Sequence, residues 1–236
     1  MDLPMRASAA APRASGGLLV ATEFGLARVD PNAGTVEITH PHDLGPGFRT
    51  NDGKIDLAGH FWWSSMDDNG GERPGEVFRT PPDGPTVRVL GGIHIPNTIS
   101  VSADGGRLYL ADSKRETIYA YRLDDLGEVS EFAHTRGEPG TPDGSAVDAD
   151  GYLWNAQWGA WRIVRYAPDG RIDCVVEMPV EQPTSCAFGG PDLSTLYVTS
   201  AWDELSEEAR AGQPLAGGLF AFEPGVRGLP LPLFEG

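Results

Sequence analysis

Two side chains that carry oxygen donors, those of Asn97 and Asp143, stand at equivalent places in neighbouring repeats of this 236-residue sequence. Asp143 lies in a Pro-Asp-Gly turn, between Pro142, whose ring fixes φ, and Gly144, which we expect to adopt a dihedral that other residues avoid. Asn97 occupies the same place one repeat earlier, in an Ile-Pro-Asn-Thr run. Two oxygen donors at matching positions of adjacent repeats predict a shared site.

The repeats on either side also place polar residues where a strand is expected to begin. Arg49 and Asn51 open one such strand, and Thr184 with Ser185 opens another. Four consecutive repeats therefore direct polar groups towards one place. Carboxylate and amide oxygens without clustered His or Cys select hard cations. The sequence thus predicts one divalent metal ion, with Ca²⁺ favoured and Zn²⁺, Mn²⁺ or Mg²⁺ as substitutes.

Other catalytic chemistries have no support in the sequence. It contains no Gly-x-Ser-x-Gly elbow, P-loop or Rossmann fingerprint, which argues against a serine nucleophile and against nucleotide binding. Apart from His40 and His42, no pair of histidines has His-x-His spacing, and none has His-Glu-x-x-His spacing, so we expect each of the five to be a surface or loop residue.

The composition favours short strands joined by tight turns, because Gly (31) and Pro (20) are abundant and apolar residues make up 40%. A net charge of −16 would repel phosphate backbones and anionic membranes, so neither nucleic acid nor membrane is expected as a partner. Residues 1–15 lack the apolar segment of a secretory signal, which predicts a cytoplasmic protein. Cys174 and Cys186 are expected to be buried free thiols. Nothing in the sequence indicates an oligomeric state.

An internal repeat positions the candidate residues. A Gly followed shortly by an aromatic residue or Leu recurs at Phe61, Leu108, Leu153 and Leu196, which are 47, 45 and 43 residues apart. Between these copies lie short alternating segments around Asp-Gly or Gly turns, which indicate β-hairpins. Two hairpins per repeat of about 45 residues make one four-stranded sheet, and that period is typical of a β-propeller.

The sequence therefore predicts one all-β domain over residues 1–236, a β-propeller with about five blades. The expected blades are residues 9–47, 48–92, 93–137, 138–180 and 181–236. The residues before Ser15 are predicted to be an Ala-rich lead, and residues 203–211 a short helix. The tryptophans expected to pack between the sheets are Trp62, Trp63, Trp154, Trp158 and Trp161, with a place for Trp63 or Trp158 in the wall of a sugar pocket as the alternative.

Several segments resemble the motifs of the senescence marker protein/regucalcin/gluconolactonase family. The run Arg49–Asp56 resembles its R-x-N-D-G-K-x-D segment, and Pro142 to Gly144 followed by Asp150–Trp154 resembles P-D-G…D-x-x-G-x-L-W. The segments that contain Asn97 and Thr184 match in the same order. The resemblance covers about residues 15–236. It implies a six-bladed propeller of the gluconolactonase type, of which about five blades are present in this chain.

By resemblance, Asn97 and Asp143 fall on two of the three protein ligands of the family's metal ion. Arg49 and Asn51 fall on residues that hold substrate hydroxyls, and Asp68 falls where the family usually has an acidic residue that binds substrate. These correspondences imply a small-molecule sugar lactone as the partner of the site.

Two departures from the family's pattern bear on the site. Thr98 follows Asn97 where the family more often has Gly, which is expected to tighten the loop. The family's third metal ligand is a Glu in an E-G-P-x-W motif of the first blade, and this sequence has no such motif. The chain is therefore expected to begin at the second blade, either as a fragment or mis-started product of a longer gene or as a five-bladed relative with a damaged site.

The resemblance implies metal-dependent hydrolysis of a sugar lactone to the aldonic acid. In this hypothesis Asp143 is both a metal ligand and the catalytic base, and Arg49 and Asn51 orient the sugar. The missing Glu keeps open an alternative, a non-catalytic or impaired propeller that binds metal or sugar. A third possibility, an interaction scaffold like the WD-type propellers, has the least support.

Overall fold

The computed structural model describes all 236 residues, and the chain forms five antiparallel sheets. In each sheet the strands are hydrogen-bonded in chain order, as expected when tight turns join consecutive strands. None of the helices has the length and apolar character that a membrane crossing requires. The predicted all-β fold, a β-propeller arrangement with five blades, is confirmed.

The chain divides into two compact units, the first made of Met1–Ile99 with Leu231–Gly236 and the second of Ser100–Pro230. The first unit holds two four-stranded sheets. The strands of the first sheet are β1 (Ala7–Pro12), β2 (Leu18–Thr22), β3 (Gly25–Asp30) and β4 (Thr35–Pro41). Those of the second sheet are β5 (Phe48–Ile55), β6 (Phe61–Asp67), β7 (Gly75–Thr80) and β8 (Val87–Ile93).

The third sheet starts with β9 (Pro96–Val101), whose residues up to Ile99 belong to the first unit. Its other strands are β10 (Arg107–Asp112), β11 (Thr117–Arg122) and β12 (Asp125–His134), with a 3-10 turn at Ser113–Arg115. The fourth sheet contains β13 (Thr141–Val147), β14 (Leu153–Trp158), β15 (Arg162–Tyr166) and β16 (Ile172–Glu177). The fifth contains β17 (Pro183–Gly189), β18 (Thr195–Ser200) and β19 (Leu219–Phe222), with the helix α1 (Glu207–Gly212) before β19.

A buried aspartate anchors the turn between the first two strands of the second and fourth sheets. Asp56 accepts two backbone N–H groups of its own turn, both at 2.9 Å, and the indole N–H of Trp62 at 2.7 Å. Asp148 repeats this pattern with two backbone N–H groups and the indole of Trp154 at 2.9 Å. Each carboxylate therefore fixes a turn and the tryptophan that follows it at the same time.

Aromatic side chains fill the core of the first unit. Trp63 stacks on Phe78 with ring centroids 4.4 Å apart, and Phe234 is fully buried in the same cluster. The backbone N–H of Phe234 donates to the carbonyl of Pro12 at 2.9 Å, at the end of β1. The C-terminal segment is thus part of the core that the N-terminal strands build.

Of the five tryptophans predicted to pack between the sheets, three are buried. Trp62, Trp63 and Trp154 are buried. Trp158 is half-buried. Trp161 is 39% exposed, and it adopts a left-handed φ of 57° in the turn before β15. A left-handed φ disfavours bulky residues, so neither this turn nor core packing explains a tryptophan at position 161.

Three other local predictions need correction. The predicted Ala-rich lead contains β1, which forms despite the low strand preference of Ala because it pairs with β2 along its length. The helix begins at Glu207, later than expected, where Ser206 caps it by accepting a backbone N–H at 3.1 Å. Both thiols are free, but Cys174 is exposed and only Cys186 is buried.

Candidate functional site

The first strand of the second sheet carries a β-bulge at the predicted substrate residues. The register of β5 against β6 shifts over Asn51 and Asp52. A bulge re-aims side chains that a regular strand would send to alternate faces. The side-chain Nδ2 of Asn51 donates to the carbonyl of Pro96 and to Oδ1 of Asn97, both at 2.9 Å. The predicted substrate residue therefore contacts the predicted metal ligand directly.

Arg49 extends this contact to Asp68. Its Nη1 donates to Oδ1 of Asn51 at 2.7 Å, and its Nε lies 3.1 Å from Oδ1 of Asp68. The side chains of Arg49 and Asp68 are 28% and 37% exposed, so a ligand in solvent can reach them. We call this set of four residues, Asp68–Arg49–Asn51–Asn97, the polar network. It contains four of the five predicted site residues.

Asp68 has a second guanidinium partner that the sequence analysis did not identify. Arg6, directly before β1, places Nη1 2.5 Å from Oδ2 and Nη2 3.0 Å from Oδ1 of Asp68. The hydrogen bonds from Arg6, with smaller contributions from the charges of Arg6 and Arg49, outweigh partial burial and hold the pKa of Asp68 below its ordinary value. Asp68 is therefore an ionised acceptor at neutral pH. Arg6 lies 62 residues away in the chain, and no local spacing signals the pairing.

A partly buried carboxylate positions the loop that carries Asn97. Asp52 accepts the backbone N–H of Ile99 through Oδ2 at 2.8 Å. Burial raises the pKa of Asp52 above its ordinary value. Thr98, between Asn97 and Ile99, has a φ of 62°, in the left-handed region that Gly adopts most readily. The family more often has Gly at this position, and the left-handed φ of Thr98 is one that Gly adopts without steric cost.

Asp143 lies in the second unit, in another β-bulge. The register of β13 against β14 shifts over Asp143 and Gly144. The carbonyl of Pro142 accepts the hydroxyl of Ser113 at 2.6 Å, and the carbonyl of Asp143 accepts Nδ2 of Asn155 at 3.0 Å. Side chains from two neighbouring elements therefore fix the backbone that carries the carboxylate. The side chain of Asp143 is half-buried.

Gly144 allows a close approach and does not supply an unusual dihedral, contrary to the prediction. The φ of Gly144 does not lie in the left-handed region. A Cβ at this position would lie 2.5 Å from Cβ of Ser185 and closer still to its Oγ. Strands β13 and β17 can therefore approach each other this closely only because residue 144 has no side chain.

We expect Gly144→Ala to lower the free energy of unfolding by about 1–3 kcal/mol, because the added methyl group overpacks the contact with Ser185. Urea denaturation of both proteins measures the change. Adding Ser185→Gly should restore part of the loss, since it removes the two nearest atoms. An unchanged urea midpoint for Gly144→Ala would show that the contact is not tight.

The predicted ligands suit a hard divalent cation in donor type. Asn97 offers an amide oxygen whose orientation is fixed by the N–H of Asn51, and Asp143 offers a carboxylate. No group of three or more His, Cys, Asp or Glu side chains is arranged to hold a metal ion. Water, backbone carbonyl or amide oxygens would have to complete the coordination, as is usual for Ca²⁺ and Mg²⁺.

The chain is similar to sugar lactonases over most of its length. The profile of the SMP-30/Gluconolactonase/LRE-like region matches residues 1–202. A 6-deoxy-6-sulfogluconolactonase from Pseudomonas putida is 34% identical over 247 residues, covering 100% of this chain and 83% of that protein. An L-arabinolactonase from Azospirillum brasilense is 40% identical over 195 residues, covering 80% of this chain and 64% of that protein.

A solved structure is similar over the whole chain. The crystal structure of a calcium-binding protein, regucalcin, from Agrobacterium tumefaciens has a TM-score of 0.93 at 32% sequence identity. The match covers 100% of this chain and 81% of that one.

Proposed function

The chain belongs to the SMP-30/gluconolactonase/LRE-like family, and on this premise we propose that it hydrolyses a sugar lactone to the aldonic acid with the help of one divalent metal ion. The polar network is the observation that carries the proposal, because it joins predicted substrate residues to a predicted metal ligand through hydrogen bonds of 2.7–3.1 Å. The two similar enzymes are, by their names, lactonases of sugar acids.

The polar network offers complementary groups to a substrate rich in hydroxyls. Arg49 only donates hydrogen bonds and the ionised Asp68 only accepts them, while Asn51, whose two side-chain N–H groups donate to Pro96 and Asn97, can accept one through Oδ1. A sugar lactone presents hydroxyls that donate and accept, together with a carbonyl that accepts. We propose that these three side chains bind the hydroxyl groups and fix the orientation of the ring.

Asp143 acts in this proposal as the base. A water oxygen adds to the carbonyl carbon while the water's proton moves to the carboxylate of Asp143. The ring C–O bond then breaks, and the leaving oxygen takes that proton to become the free hydroxyl of the aldonic acid. A divalent cation bound through Asn97 and Asp143 would supply Lewis acidity to the carbonyl oxygen.

Hydrolysis of an aldonolactone followed in a pH-stat tests this function, because each turnover releases one acid. We expect turnover above the rate in buffer alone, a loss of more than about 100-fold after dialysis against EDTA, and recovery when Ca²⁺, Zn²⁺, Mn²⁺ or Mg²⁺ is returned. Turnover that EDTA leaves unchanged would contradict the metal dependence. Turnover equal to that in buffer would contradict the hydrolytic function.

A non-catalytic role in binding metal or sugar is the second candidate. It is favoured by the small number of anionic groups among the proposed ligands, which are one carboxylate and one amide, because fewer charges offset the dehydration of a hard cation. Calorimetry with Ca²⁺, Mn²⁺ and Zn²⁺, run alongside the pH-stat assay, separates the two roles. Binding without turnover would favour this candidate.

A further inference from the structure

We propose that Arg6 is a positioning residue for substrate binding, which holds Asp68 and through it Arg49. This inference rests on the proposed function. Arg6 lies outside every segment that the family resemblance singles out, yet both of its terminal nitrogens bind the carboxylate of Asp68. The contact adds Arg6 to one end of the polar network, whose other end is Asn97.

Backbone hydrogen bonds hold Arg6 in place independently of its side-chain contacts. Its N–H donates to Oε1 of Glu23 at 3.0 Å, and its carbonyl accepts the N–H of Glu23 at 3.2 Å. The next residue, Ala7, pairs with Thr22 at the end of β2. The side chain of Arg6 therefore starts from a rigid strand end, which limits the directions it can take.

The two guanidinium groups leave Asp68 one acceptor position. A carboxylate has about four lone-pair sites. Arg6 fills one on each oxygen, and Nε of Arg49 fills a second on Oδ1. The remaining site, on Oδ2, can accept one hydroxyl of the substrate in a fixed direction. Asp68 is thus arranged to select a hydroxyl at one position of the sugar ring.

Stability alone does not account for the pair. The side chain of Arg6 is 57% exposed and that of Asp68 is 37% exposed, and ion pairs as exposed as this add little to folding free energy. Its bidentate geometry instead restricts how the carboxylate can rotate. We therefore expect the loss of Arg6 to be seen in substrate affinity and not in folding.

The test compares Arg6→Met and Arg6→Lys with a control, Arg122→Met, which removes an exposed arginine paired with surface carboxylates of the second unit. KM and kcat for an aldonolactone and the calorimetric Kd of a hydrolysis-resistant aldonolactam are measured for each protein. Arg6→Met should raise KM and Kd about tenfold with little change in kcat, and Arg6→Lys should restore part of the affinity. Arg122→Met should match the parent.

A double variant shows whether Arg6 acts through Asp68. In an Asp68→Asn background, Arg6→Met should have no further effect on Kd. A 13C titration of the Asp68 carboxyl should show its pKa rise towards the ordinary value in Arg6→Met. KM and Kd equal to those of the parent would overturn the inference.

The proposed function and the inference can fail separately. If the parent does not turn over the lactone but binds the lactam, and Arg6→Met binds the lactam more weakly, the inference is supported and hydrolysis is contradicted. If the parent hydrolyses the lactone and Arg6→Met has the same KM and Kd as the parent, hydrolysis is supported and the inference is overturned. A parent that neither turns over the lactone nor binds the lactam would overturn both.

Discussion

Replacing Asp143 by Asn should lower kcat/KM for a sugar lactone by about 10³-fold. The substitution removes the proposed base, and proton transfer by a positioned side chain contributes about 10²–10⁴-fold to rate. It also removes the carboxylate from the proposed metal ligands. The backbone at this position is held by Ser113 and Asn155 through carbonyl groups that the substitution leaves in place. The pH-stat assay measures the loss, and circular dichroism checks that the fold is kept.

A matched control and a metal titration separate the two roles of Asp143. Asp150 lies in the turn between β13 and β14, its side chain is 65% exposed, and Asp150→Asn should stay within about twofold of the parent. If excess metal restores the activity of Asp143→Asn, the carboxylate serves as a ligand and not as the base. If Asp143→Asn hydrolyses the lactone as fast as the parent, neither role is correct.

Replacing Asp148 by Ala should lower the free energy of unfolding by about 3–5 kcal/mol, the cost of breaking a buried ion pair from one side. Asp148 is fully buried, and Nε and Nη2 of Arg165 reach its Oδ2 at 2.9 and 2.6 Å. The same oxygen accepts the indole of Trp154. The side chain of Arg165 is 12% exposed, so water can replace few of the lost contacts. Urea denaturation measures the change.

Asp56 provides the control, since it makes the same turn and indole contacts but pairs with His60, at 2.9 Å, instead of an arginine. Asp56→Ala should therefore cost less, about 2 kcal/mol, the penalty for buried donors that lose their acceptor. Equal losses in the free energy of unfolding for the two variants would show that the ion pair with Arg165 adds no stability to that given by the turn and indole hydrogen bonds. Both variants leave the polar network untouched.

The fold could be predicted because its signals are local and repeated. Tight turns and alternating strands lie within one repeat, and the spacing between successive copies from Phe61 to Leu196 gives the length of a repeat, from which the chain length of 236 residues predicts about five sheets. The buried anchors Asp56 and Asp148 were missed, although each lies six residues before its tryptophan, at a spacing that the sequence displays. β1 was missed because its alanines have little strand preference of their own. Hydrogen-bonded pairing with β2 stabilises the strand instead.

The candidate site was less predictable, because its geometry depends on contacts between distant residues. Their place at the start of a predicted strand and the family resemblance identified Arg49 and Asn51, but the bulge that brings Asn51 to Asn97 is set by strand register. Arg6 could not be found at all, since its partner is 62 residues away and an isolated arginine before a strand carries no signal. The role of Gly144 was misjudged for the same reason, because the atoms that exclude a side chain there belong to Ser185.

The burial of Phe234 beside Trp63 and Phe78 has a consequence for synthesis on the ribosome. Arg13 contacts the carbonyl of Gly236, 223 residues later in the chain, so the aromatic cluster near the N-terminus lacks Phe234 until that residue has been synthesised. The nascent chain must carry that apolar surface uncovered while the whole second unit is being made, and such surfaces recruit chaperones or aggregate.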